Sequence, residues 1–144
     1  MCQSAAAPMA WIPTPDDSPF FRLGGEDAVR ALANRFYDVM EAEEPELARL
    51  HELDEAGRIT AGTRERFALF LVEWLGGRTR YSPTHGHPRL RMRHGHLPVT
   101  SAMGRAWLRC MDDALAAGGA PPEVQAYLAG RFAQVAEMLR NVQG

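Results

Sequence analysis

An all-α single domain is what the sequence predicts, and three observations carry that prediction. Apolar residues recur at steps of three and four in four separate stretches, no stretch alternates apolar with polar residues as a half-buried strand does, and glycine or proline pairs punctuate the gaps. At 144 residues the chain can bury about two thirds of its unfolded surface in one core and is too short for a second domain. Its 46% apolar and 24% charged content is that of a chain that folds.

Residues 1–19 hold Pro8, Pro13, Pro15 and Pro19 with no periodicity, which reads as a flexible N-terminal arm outside a domain spanning 20–144. Gly24 and Gly25 mark the start of the first long helix, from Glu26 to about Glu43, with Val29, Leu32, Ala33, Phe36, Tyr37 and Met40 as its stripe. Pro45 suits the first turn of a short helix running to Leu50. Asp54 to Thr60 is a loop. Phe67, Phe70, Leu71, Trp74 and Leu75 then line the second long helix, which Gly76 and Gly77 end. From Arg78 to Pro98 three prolines leave room for only a turn or two of helix around Arg89 to His94. Thr100 or Ser101 caps a helix carrying Met103, Trp107, Met111 and Leu115, stopped by Gly118 and Gly119. Pro121 and Pro122 open the last helix, with Val124, Tyr127, Leu128, Phe132, Val135 and Leu139.

Sixteen basic residues against eighteen acidic ones give a net charge of -2, which removes the phosphate attraction on which nucleic-acid binders rely. All sixteen are arginine. The absence of lysine excludes Schiff-base chemistry and a phosphate-loop lysine. Two cysteines, Cys2 and Cys110, make no disulfide framework and suit a reducing, cytoplasmic setting. No apolar stretch approaches the roughly 18 residues that a membrane span requires, so no membrane role is expected. Charge is uneven: residues 26–55 carry ten carboxylates against three arginines, whereas 78–96 carry five arginines and no acid. Such runs are usually solvated faces, but the arginines also suit a small acidic ligand.

Four of five histidines, His85, His87, His94 and His96, fall within twelve residues. A zinc site needs three or four ligands converging on one ion, and the surrounding prolines and arginines disfavour it here. A haem iron needs only one protein histidine, together with an apolar slot and cations for two propionates. Phe67, Phe70, Leu71, Met103, Met111 and Leu139 can furnish the slot, and Arg89, Arg91 and Arg93 the cations.

Phe36-Tyr37, Trp74-Leu75-Gly76-Gly77, Tyr81, the run Gly86 to His94 with its Arg91-Met92-Arg93-His94 ending, and Trp107 thirteen residues later together resemble a group II truncated haemoglobin. The resemblance spans roughly residues 20–142. It implies a truncated globin fold, a two-over-two helical sandwich around haem b (iron protoporphyrin IX). It also implies His94 as proximal iron ligand, with Tyr37, Trp107 and His51 lining the distal side and Phe67, Phe70, Tyr81, Arg91 and Arg93 against the haem. Taken alone, Tyr37 and Trp107 read as ordinary core and His51 as a helix-end histidine. Three departures stand out: Phe67 where a smaller aliphatic residue is usual, a longer segment at 52–62, and Gly95-His96 where a residue before proline is common.

The resemblance implies binding of O2, or of CO or NO, at ferrous iron under hydrogen-bond donors, with slow release. The alternative is a haem redox enzyme reducing peroxide or oxidising nitric oxide. That alternative needs a reductase partner, since the chain carries no flavin or nicotinamide fingerprint. A monomer or a homodimer is expected. A haemless helical domain whose arginines hold an acidic ligand is the blander reading.

Overall fold

A computed structural model describes residues 11–77 and 100–139 of the chain. Six helices are described: α1 Pro19–Leu23, α2 Glu26–Glu43, α3 Pro45–Ala48, α4 Ala61–Trp74, α5 Ser101–Ala117 and α6 Pro122–Leu139. Among the described residues there is no strand, only two isolated bridges, Thr14 with Asp17 and Leu53 with Ile59. Helix α2 packs against both α4 and α5, and α5 packs against α6. The stripes read from the sequence are the faces that meet there: Val29, Leu32 and Phe36 of α2, Leu71 of α4, Met111 of α5 and Val124 of α6 are all fully or almost fully buried.

Local chemistry sets the ends. The hydroxyls of Thr60 and Thr100 accept the amides of Thr63 (3.2 Å) and Met103 (3.1 Å), so each satisfies one of the amide donors left over at a helix start. Gly24 at φ 117° and Gly25 at φ 93° reverse the chain between α1 and α2, a backbone path that a side chain would strain. Their amides return to Phe21 and Phe20 carbonyls at 3.1 and 3.0 Å.

Within residues 11–19, expected in an arm outside the domain, Trp11 and Asp17 contact the helices and Ser18 is buried, whereas Ile12 is 73% exposed. Trp11 meets Tyr127 of α6 edge-on at 5.4 Å, its indole nitrogen donates to Asp17 (3.1 Å), and the Arg22 guanidinium lies 4.4 Å from its ring. Arg22 in turn bridges Asp17 and Glu123. The Phe20 amide donates to the Leu75 carbonyl at 2.9 Å, and the Phe20 ring sits where a Cβ on Gly77 would have to be, at 2.5 Å. The contacts to Tyr127, Glu123, Leu75 and Gly77 reach residues that no local period connects to the segment, so its proline-rich composition does not announce them. Residues 1–10 of the expected arm lie outside the described residues. Trp11→Ala removes an aromatic pair and a cation over a ring, and should cost about 1–2 kcal/mol, read as a lower denaturant midpoint at unchanged slope. An unchanged midpoint would return residues 11–17 to the arm.

Candidate functional site

The consecutive residues Phe36 and Tyr37 put two rings on the inner side of α2, where α4 and α5 converge. Phe36, fully buried, touches Tyr37 at 5.0 Å, Phe67 at 5.1 Å and Trp107 at 5.1 Å. Tyr37 also meets Phe67 at 5.4 Å and His51, just past α3, at 5.5 Å. Phe67 and Trp107 lie 6.4 Å apart across the cluster. Tyr37, His51, Phe67 and Trp107 therefore stand together around one hub. Phe70 stacks on Phe67 and on Trp74, at 6.3 and 6.2 Å, extending the aromatic wall along α4. Phe132 of α6 closes it, 4.9 Å from Trp74 and 5.3 Å from Trp107. Phe36 and Phe132 were absent from the expected site residues because an apolar stripe does not distinguish a ring facing a ligand from one facing another helix.

Buried side-chain donors ordinarily have partners. Among the described residues the one fully buried side-chain polar atom left without a partner is the Ser18 hydroxyl; Tyr37 is 5% exposed and Trp107 half-buried, and neither the phenol oxygen nor the indole nitrogen belongs to that class. Burial pushes the Tyr37 phenol above its usual value, against a smaller opposite pull from Arg64 and Arg66, so it keeps its proton at physiological pH and stays a donor. The His51 ring lies 3.1 Å through Nδ1 from the Leu47 carbonyl. A carbonyl only accepts, so Nδ1 carries the proton, and the neutral ring presents Nε2 as an acceptor; it donates from Nε2 only as imidazolium. Thr63 on the first turn of α4 is half-buried, and its hydroxyl lies 3.0 Å from that of Thr60.

Beside the rings lies an ion network that the solvated-face reading of the acidic stretch did not foresee. Arg64 donates to the Ile59 carbonyl (3.1 Å), the Asn34 carbonyl (3.1 Å), Asp38 (2.9 Å) and Glu41 (3.0 Å). Glu41 also accepts from the Ile59 amide at 2.7 Å and from Arg58 at 3.1 Å. The longer segment at 52–62 is thereby tied down to α2. Asp54 caps its turn through the amides of Ala56 and Arg58. Burial alone would raise the Glu41 carboxyl, but the Ile59 amide, Arg58 and Arg64 outweigh it and hold it below its ordinary 4.5. A depressed carboxylate contributes stability that is present above 4.5 and lost as pH falls through the lower folded value. Glu41→Gln should therefore melt at lower temperature than the parent at neutral pH, with the gap closing as pH drops below 4.5. A gap independent of pH would show that the charge does not matter.

Tyr81, Arg89, Arg91, Arg93 and His94, with His85, His87 and His96, lie outside the described residues. Among the described residues no three His, Cys, Asp or Glu side chains are grouped to hold a metal ion. No described helix is long and apolar enough to cross a membrane.

Comparison with known proteins fits this geometry. The family described as bacterial-like globin matches residues 18–141. Group 2 truncated hemoglobin YjbI of Bacillus subtilis (strain 168) is 35% identical over 117 residues, which are 81% of this chain and 84% of that protein. Among solved structures, the cold-adapted truncated hemoglobin of the Antarctic marine bacterium Pseudoalteromonas haloplanktis TAC125 superposes with a TM-score of 0.79 at 34% identity, covering 87% of this chain and 98% of that one. The truncated oxygen-avid haemoglobin of Bacillus subtilis does so at 0.75 and 33%, covering 86% and 99%.

Proposed function

The chain belongs to the bacterial-like globins, in the group II truncated haemoglobin branch, and on that premise we propose that it holds haem b and binds dioxygen at the ferrous iron. Haem binding comes with the family; the form of the haem, the ligand and the residue roles are our reading. The observation that carries it is the convergence of Tyr37, His51, Phe67 and Trp107 around Phe36, which brings a phenol and an indole into one enclosure of rings. A flat apolar cofactor fits the side chains present: Phe67, Phe70, Met103 and Trp107 are large, contiguous with the core and only partly buried. The name of the oxygen-avid Bacillus subtilis relative points the same way.

When bound, haem supplies an iron with an open coordination position for a diatomic ligand. The chain's own residues do the rest. His94 would hold the iron, and Arg91 and Arg93, with Tyr81, would hold the acidic groups of the cofactor. Tyr37 and Trp107 donate hydrogen bonds to a ligand oxygen that bears partial negative charge, while Phe36, Phe67 and Phe70 exclude water from it. Two donors on one ligand favour slow release over carriage. A cytoplasmic location follows from the reading of the cysteines. Reversible spectral conversion of the ferrous protein between oxygen-free and oxygen-bound forms is the expected result. Steady turnover of peroxide or nitric oxide with an added reductant would instead establish the redox enzyme.

A further inference from the structure

Arg64 stands on the first turn of α4 with its side chain only 13% exposed. Burying a guanidinium is costly unless it is paired and its donors are used, and here Asp38 and Glu41 supply charge while the Ile59 and Asn34 carbonyls take further N–H groups. Asn34, Asp38 and Glu41 fall at positions i, i+4 and i+7 of α2 and so share one flank of that helix, next to Tyr37. Pinned from there and from the loop at Ile59, the guanidinium carbon lies 5.7 Å from the centre of the Tyr37 ring. The ring is thus enclosed by Arg64, His51, Phe67 and Phe36. If neutralising two surface carboxylates were the whole role of this residue, an exposed arginine such as Arg58 would serve, and no four-point fixation beside a phenol would be required.

We propose that Arg64 is a positioning residue for ligand binding, acting through Tyr37: it fixes the ring and strengthens the hydroxyl as a donor. A cation held close to the phenol stabilises the negative charge that its oxygen takes on when the proton is shared with an acceptor. Lysine would keep the charge but could not hold the planar fork that meets four acceptors. The inference rests on the reading of Tyr37 as a ligand donor, and the test separates the two.

The full chain loaded with haem is compared with Arg64→Met, Arg64→Lys, Tyr37→Phe and the Arg64→Met, Tyr37→Phe double variant, reading O2 dissociation and the C–O stretching frequency of the CO complex. Arg64→Met should speed O2 release about three- to tenfold, as residues of one network couple, and should raise the C–O frequency as positive field is lost. Arg64→Lys should restore part of both. In the Tyr37→Phe background Arg64→Met should change neither. An equal effect in that background, or no effect of Arg64→Met where Tyr37→Phe has one, overturns the proposal. If Tyr37→Phe alone changes nothing, the ligand-donor reading fails and this one with it. Should Arg64→Met not fold, Arg64→Lys in both backgrounds closes the same cycle.

Discussion

His94→Ala is expected to lose tightly held haem while the helices form. The reading gives the iron a single bond to protein. Even outer-shell partners of a metal ligand are worth about 10–100-fold in affinity, so removing the ligand itself should weaken haem retention by at least about 100-fold. Transfer of haem to an acceptor apoglobin measures this, with circular dichroism confirming the fold. His85→Ala, His87→Ala and His96→Ala should leave the rate unchanged. Retention in His94→Ala together with loss in His87→Ala or His96→Ala would mean that the register of the whole Gly86 to His96 run is misassigned.

Tyr37→Phe and Trp107→Phe are expected to speed O2 dissociation by roughly ten- to hundredfold each, because a hydrogen bond to a charge-bearing ligand is worth about 1.5–3 kcal/mol and each 1.4 kcal/mol is a factor of ten. CO carries less charge when bound and should respond less. The double variant should fall short of the sum, since both donors serve one ligand. Both rings touch Phe36 and Phe67, so a packing defect is the competing explanation. Packing would affect O2 and CO alike; a selective effect on O2 is what donation requires. Equal acceleration of both gases would reduce Tyr37 and Trp107 to ordinary core.

The long helices were legible because each carries its own stripe: the periodicity of α2, α4, α5 and α6 is local, and so are the glycines and threonines at their ends. What the sequence concealed depends on long-range partners. Helix α1 and the docking of Trp11 rely on Tyr127 and Glu123, more than a hundred residues away, and nothing in a proline-rich stretch announces them. Arg64 and Glu41 are 23 residues apart, on different helices, so pairing rules within one helix cannot join them, and α2's acids read as a solvated face. The site rings were named from a resemblance; their periodicity alone said core. Tyr37 is the instructive residue, since its place on an apolar stripe suits both readings and only its company, with Phe36, His51 and Phe67 around the ring, favours one of them.

The central claim is that this enclosure of rings is completed by haem. The most direct measurement is a titration of the haem-free, full-length chain with haem, followed by absorption. The account predicts an intense Soret band that grows linearly and stops at one haem per chain, with the aromatic circular dichroism sharpening as Phe36, Tyr37, Phe67 and Trp107 are locked around it. A helical, folded chain whose spectrum stays that of free haem, with no break at any ratio, would contradict it.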